Sequence, residues 1–269
     1  MKFLNKNNAM RCLSIASISV CIIYIYIPIA FVIAYSFNMS KSGSHWTGFT
    51  FHWYNELALN KSLINSFFVS CGVAAVVSTV STFIAFLAAL GINKWSFIRK
   101  RLANSFFASI MIVPDLIFAV SLAIFFSSVQ FRMSLVTVII SHISFCISYA
   151  YFIISPSIGD FDDTLISAAQ DCNANPFQSI VFVQIPIVFP SLIVSWLLVF
   201  AVSLDDFMVT FFTKGTGSDT LPIKIYSQLR FGLRPSTNAL SSVLFFLMLL
   251  VMTIAYYYRL RIAKNVAIE

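Results

Sequence analysis

The sequence predicts an all-α integral membrane protein with six transmembrane helices, and three observations carry that prediction. Hydrophobic residues make up 59% of the 269 positions and charged residues only 10%, where a soluble domain carries roughly 25% charge. Mean hydropathy is +0.89, and phenylalanine alone supplies 29 residues, more than a soluble surface hides. The apolar residues also gather into runs of the ~20 residues that cross a ~30 Å hydrocarbon core. One membrane domain, residues 1–269, is expected.

The six runs are 12–36, 64–91, 104–128, 134–154, 187–212 and 240–258. The first follows the basic stretch MKFLNKNNAMR. It is too long for the apolar region of a cleaved signal and lacks a small-x-small exit, so a retained anchor is expected. The second holds Gly72 and Gly91 among Ser and Ala, residues that let helices approach closely. The third carries Pro114 and Asp115. Counted along a straight helix, Asp115 lies about 16 Å deep, near mid-bilayer. VQFRM turns tightly into the fourth run, which holds His142, Tyr149 and Tyr151. Pro186 and Pro190 disturb the start of the fifth, and Asp205, Asp206 and Phe207 lie near its far end. The sixth leads into Tyr256, Tyr257 and Tyr258, expected as an interfacial anchor.

Orientation follows from Lys and Arg placement. With the N-terminus inside, the inner segments hold Lys2, Lys6, Arg11, Lys94, Arg99, Lys100, Arg101, Arg259, Arg261 and Lys264, and the outer ones Lys41, Lys61, Arg132, Lys214, Lys224, Arg230 and Arg234. The inner charges sit densely at helix ends, above all in IRKR at 98–101, so both termini are expected in the cytoplasm. The net charge of +7 is scattered and reads as topology, not as a nucleic-acid surface. Trp46, Trp53 and Tyr54 of the first outer loop are expected in the interfacial belt. The alternative role for that loop is docking to something outside.

Cys12, Cys21, Cys71, Cys146 and Cys172 form no CxxC pair, and free thiols are expected. His45, His52 and His142 are too dispersed for a metal site, so no metal is expected. His142 is expected as an interhelical hydrogen bonder. No G-x-x-x-x-G-K-[ST] loop occurs, so the chain is not expected to bind ATP itself.

The inner connection 155–186 is the unusual one. It is long for a connection and holds Asp160, Asp162, Asp163 and Asp171 but no Lys or Arg. Residues from Thr164 to Cys172 favour helix, with Ala168 and Ala169 as a low-profile face. Asn173 is placed to stop that helix in the left-handed region. Asn175 before Pro176 is a restart signal, an N-cap followed by proline at the first helical position. The reading is helix, sharp turn, helix, with an acidic surface suited to a basic partner.

Ser167-Ala168-Ala169-Gln170-Asp171-Cys172-Asn173, then nine residues beginning with Ala174, then Val183-Gln184-Ile185-Pro186, resembles the EAA loop of ABC-importer permeases. Ser167 stands where that motif has Glu, and Asn173 where it has Gly. The stretch 203–240, with DDF, TLPIKIYS and NAL, and the segments 36–54, 113–122 and 141–149 resemble the second permease subunit of spermidine/putrescine import systems. The resemblance covers nearly the whole chain. It implies a type I ABC importer (MetI-like) permease fold in the cell inner membrane, with cytoplasmic coupling helices. Ser167, Ala168, Ala169, Asp171, Asn173, Ala174, Pro176 and Pro186 would then meet the ATPase. It further implies a second homologous permease, two cytoplasmic ATPase subunits that bind the ATP, a periplasmic substrate-binding protein and a polyamine substrate. No cofactor of the chain's own is implied, nor any enzymatic activity.

The intramembrane charges agree with that implication. Asp115, Asp205 and Asp206, with few cations near them in sequence, would suit a positive substrate, and Tyr149, Tyr151, Phe118 and Phe207 offer cation–π faces. The bland alternative is that one of these Asp residues caps a helix or pairs with Lys214. Other functions weighed are an ABC permease for iron or another small solute, a stand-alone cation channel or secondary transporter, and an embedded hydrolase. The scattered histidines disfavour the last.

Overall fold

The computed structural model describes the backbone of residues 2–40, 45–217, 219–230 and 235–266, with side chains from residue 14 onward except at 251, 252 and 254–266. The tyrosine run 256–258 therefore lies outside the described side chains. The helices in order are α1 Lys2–Tyr35, α2 His52–Leu59, α3 Lys61–Asn93, α4 Phe97–Ile112, α5 Asp115–Ser128 and α6 Leu135–Gly159. They continue with α7 Thr164–Asp171, α8 Pro176–Ser179, α9 Ile185–Asp205, α10 Met208–Thr213, α11 Leu221–Leu229 and α12 Pro235–Val266. A π turn, Ile180–Gln184, joins α8 to α9. Among the described residues there is no strand, only an isolated bridge between Asn38 and Phe49.

Among the described residues, four stretches are long and apolar enough to cross a bilayer: Ser14–Tyr35, Lys61–Asn93, Leu135–Gly159 and Pro176–Asp205. A fifth arises if α4 and α5 count as one span, but they meet at 97°. This corrects the straight third span expected from sequence. Proline has no N–H to continue the helix and pushes the residue before it into extended geometry. Val113 accordingly takes φ −63° and ψ 128°. Asp115 thus opens α5 instead of sitting inside a helix, and a depth counted along a straight axis no longer applies. The fifth predicted span is shifted as well. It begins at Pro176 and ends at Asp205, and the chain turns through an extended Asp206 before restarting as α10.

The chain divides into two compact units, one of residues 1–64 and 227–252, the other of residues 65–226 and 253–269. In the first, the loop after α1 is organised by Asn38, which is fully buried. Its Nδ2 donates to the His45 carbonyl at 2.7 Å, and its Oδ1 accepts from the Thr47 N–H at 3.0 Å. Trp53 Nε1 donates to the Asn38 carbonyl at 2.7 Å. Trp53 is only 7% exposed, so it is the core of this loop and not a belt residue. Tyr54 shares a 2.6 Å hydrogen bond with the Ser36 hydroxyl. Trp46 alone of the three stays exposed.

The second unit is built around α6. Its Val138, Cys146, Ala150, Ile154 and Ile158 pack with Val77 and Phe86 of α3 and with Val188 and Val199 of α9. No water is available inside a bilayer, so polar side chains there must pair within the protein. Ser157 meets Ser191 hydroxyl to hydroxyl at 2.5 Å. Trp196 Nε1 donates to Thr79 Oγ1 at 3.0 Å, and Thr137 Oγ1 donates to the Thr213 carbonyl at 2.7 Å. At Gly215 an added Cβ would lie 2.1 Å from the Met133 carbonyl oxygen. The loop after α10 therefore runs against the backbone that joins α5 to α6, and only glycine fits. Gly72 and Gly91 differ from expectation, since nothing lies within 4 Å of a Cβ built on either.

These contacts give opposite expectations for two Gly→Ala changes. Gly215→Ala should destabilise the purified protein by about 1–3 kcal/mol through overpacking. Gly72→Ala should be neutral or slightly stabilising because alanine favours a helix interior. Thermal melting of the two variants in the same detergent checks the pair.

Candidate functional site

A cavity of about 520 Å³ opens in the second unit, lined by Asp115, Tyr149, Asp205, Asp206 and Phe207 together with Phe145 and Met208. Five residues from three separate sequence stretches, each singled out from sequence, thus come together. Asp115 comes from the start of α5, and Tyr149 with Phe145 from one face of α6, four residues apart. The remaining three come from the break between α9 and α10. Among the described residues no Lys, Arg or His lines the cavity. Tyr151 is not part of it. It is buried, stacked on Phe107 at 4.3 Å, and its hydroxyl donates to Asn104 Oδ1 at 2.6 Å. Phe118 stands edge-on to Phe145 at 6.0 Å without reaching the lining.

The adjacent carboxylates Asp205 and Asp206 do different things. Asp206 is 11% exposed, and its Oδ2 lies 3.1 Å from Nε2 of His142, which is 1% exposed. The same oxygen accepts from the Thr210 N–H at 2.8 Å and the Thr210 hydroxyl at 3.1 Å. His142 Nδ1 meets the Ser203 hydroxyl at 2.8 Å, and its Nε2 meets Thr210 Oγ1 at 3.0 Å. Asp206 therefore caps α10 while anchored to α6. Asp205 is exposed and makes no hydrogen bond or ion pair with the described residues, and the same holds for Asp115. Lys214 pairs with Asp219, not with a cavity carboxylate. His142 is the interhelical bonder that the sequence indicated. Its partnership with Asp206 has no local sequence signal, because the two are 64 positions apart.

The connection between α6 and α9 forms a helix–turn–helix. Asp162 starts α7 by accepting from the Thr164 N–H at 2.9 Å, a bond that holds its carboxyl below the usual carboxylate range. The helix ends in a Schellman motif. The Ala174 N–H reaches the Ala169 carbonyl at 3.0 Å, the Asn173 N–H reaches the Gln170 carbonyl at 2.9 Å, and Asn173 has φ +64°. Asn175 and Gln178 then form a reciprocal capping box at 2.8 and 2.9 Å, with Pro176 at the first helical position. Ser167, Ala168 and Asp171 are exposed, and Ala169 and Ala174 half-buried. The Ser167 hydroxyl bonds only backwards, to the Asp163 carbonyl at 3.3 Å. Pro186 falls in the first turn of α9, after the Ile185 N–H has reached back five residues to the Ile180 carbonyl.

With this geometry in hand, comparison with known proteins is specific. Residues 81–267 match the family described as binding-protein-dependent transport system inner membrane component. The chain is 34% identical over 232 residues to the spermidine/putrescine transport system permease protein PotC of Escherichia coli K12, covering 86% of this chain and 88% of that one. It is 30% identical over 251 residues to the putrescine transport system permease protein PotI of the same strain, covering 90% and 89%. In structure it resembles a chain of the bacterial alginate ABC transporter crystallised with an alginate-bound periplasmic protein. That likeness has a TM-score of 0.70 at 15% identity, with 95% and 94% coverage, and concerns the fold.

The turn at Asn173 supplies its own test. Asn173→Gly should leave stability unchanged or raise it slightly, whereas Asn173→Val should cost about 1–2 kcal/mol, the penalty of a left-handed residue without local hydrogen bonding. Melting temperatures of the two variants distinguish these outcomes.

Proposed function

Because the chain belongs to the family of binding-protein-dependent transport system inner membrane components, we propose that it is a permease subunit of an ATP-driven polyamine importer, acting on spermidine and putrescine. The observation that carries this reading is the cavity whose lining holds three carboxylates and no cation. A polyamine is a flexible polycation with methylene linkers. Asp115 and Asp205, without a hydrogen-bond or ion-pair partner among the described residues, would take its ammonium groups, while Tyr149 and Phe207 would cover the methylenes and contribute cation–π attraction.

In this proposal six crossings form, with α4 and α5 as one bent span and α12 as the last. The 155–186 loop lies in the cytoplasm with both termini. Support comes from the end of α6. Asn93 Nδ2 donates to the Ile158 carbonyl at 3.3 Å, and Lys100 Nζ donates to Asn93 Oδ1 at 2.8 Å. The densest basic cluster therefore shares a membrane face with the loop that follows α6, and such clusters mark the inside.

The partners are a second, homologous permease, two ATPase subunits that bind the ATP, and a periplasmic binding protein that delivers the solute. ATP would draw the loops of the two permeases together. Pro176–Asp205 is a 30-residue helical element, about 45 Å long at 1.5 Å per residue. It starts at Pro176, directly after the Ser167–Asn173 segment of the loop, and ends at the cavity carboxylates. Displacement at its inner end would move Asp205 and Asp206, opening the cavity to alternate sides.

Uptake of labelled spermidine into vesicles holding the reconstituted complex should require ATP. Flux through this chain alone, without ATP, would overturn the reading. Asp115→Asn and Asp205→Asn should each raise the half-saturating spermidine concentration roughly tenfold or more. That follows from the ~1.5–3 kcal/mol of a charged hydrogen bond. Unchanged uptake in a normally assembled Asp115→Asn complex would remove that residue from the path.

A further inference from the structure

We propose that the groove along α4 is a binding site for an anionic phospholipid, separate from the substrate cavity. The groove has a volume of about 520 Å³. Phe97, Lys100 and Arg101 line its first part, Asn104 and Ser105 lie one turn further along, and Ala108 with Phe152 of α6 makes its apolar far end. No Asp or Glu lines it.

Every charged group in the groove is a cation, and Asn104 has its amide N–H groups left to donate. The Tyr151 hydroxyl already occupies Asn104 Oδ1 at 2.6 Å, which leaves the Asn104 amide N–H groups for the groove. Lys100 spends one proton on Asn93 and keeps two. Arg101 is exposed and makes no hydrogen bond or ion pair with the described residues. These cations also sit in the first two turns of a helix with no acidic residue in its first turn. They meet the positive end of the helix dipole there, a repulsive arrangement that an anion relieves.

The shape selects a lipid over a free anion. From Lys100 to Ala108 the groove follows the helix for about 12 Å, with the cations beside Phe97 at its start and only carbon at its far end. A phosphate headgroup fits the first and the start of an acyl chain the second. On the same helix Ile98, Leu102 and Phe106, spaced four apart, are all well exposed. Such an apolar row beside the groove is what hydrocarbon covers in a membrane. Basic pockets at the polar boundary of membrane helices recruit anionic headgroups at a gain that each nearby cation increases.

The test uses the complete transporter, purified from membranes and placed in nanodiscs of phosphatidylglycerol and phosphatidylcholine. Native mass spectrometry then counts the lipid retained. Wild type should keep phosphatidylglycerol. The double variant Lys100→Gln, Arg101→Gln should lose it by roughly tenfold or more. Ala108→Trp, which keeps both cations and fills the apolar end, should lose it as well, and it decides the matter should the double variant fail to fold. Arg99→Gln, which removes a charge outside the groove, should retain it. Four results would overturn the proposal: equal retention in the double variant, equal loss in Arg99→Gln, displacement by millimolar inorganic phosphate alone, or a disulfide from Ser105→Cys to the second permease subunit across the groove.

Discussion

The cavity depends on the contact between His142 and Asp206. It ties α6 to the point where α9 gives way to α10, and Ser203 and Thr210 extend the same network onto both of those helices. In water such a cluster would contribute little, because water competes for each partner. Inside a bilayer the alternative to pairing is an orphaned polar group, which costs several kcal/mol. The network therefore fixes where α9 stops. Because α9 stops there, Asp205 and Phe207 line the cavity on either side of an immobilised Asp206.

A cavity with three carboxylates and no nearby Lys or Arg needs some other source of positive potential. Two helix starts supply it. Asp115 is the first residue of α5, and Asp206 caps α10. Anions are favoured at both places because the first backbone N–H groups of a helix are unpaired and the dipole is positive there. Both starts exist because the chain breaks, at Pro114 and again at Asp206. The breaks thus do two jobs, since they open space between helices and stabilise negative charge beside it. Asp205 has neither advantage. It closes α9, where the dipole is negative, and among the described residues no cation pairs with it. Of the three carboxylates it is the one whose field is least satisfied by the protein, and so the one on which an incoming cation would gain most.

This division of labour was only partly legible in the sequence. Composition and run length gave the helical membrane class. Asn173, Asn175 and Pro176 gave the helix–turn–helix between α6 and α9, because caps and prolines act through their own backbone and need no distant partner. The carboxylates that line the cavity stood out because a carboxylate is expensive in a membrane wherever it stands. What failed were features set by contacts between distant segments. The stretch 205–207 contains no Gly or Pro, so nothing local announces that α9 ends there. Trp53 looked like a belt residue because an outer-loop tryptophan usually is one, but the buried Asn38 carbonyl claims its N–H. Gly72 and Gly91 looked like packing residues, yet no neighbour approaches them. Pro114 was visible, but the size of the bend it permits is decided by what α5 packs against, and that is α10.

In the proposed importer the two halves of the site form one mechanical line. The coupling loop carries its turn at Asn173 and its restart at Asn175, and the restarted helix continues through the π turn and α9 to Asp205. The face that α7 and α8 present is not strongly charged at the position where the resembling motif has Glu. Ser167 there bonds only to its own helix, and Leu165, Ala168 and Phe177 are exposed, Phe177 by 73%. The exposed Phe177 ring is apolar area that a partner surface can bury. A partner groove that accepted it would grip the loop by shape and apolar burial, worth about 1.5–3 kcal/mol for one large side chain, more than the ~0–1 kcal/mol of a salt bridge that a glutamate could supply at a solvent-accessible interface. Loss of the Glu therefore does not by itself imply loss of coupling. Shape at Phe177 can carry what charge at Ser167 does not.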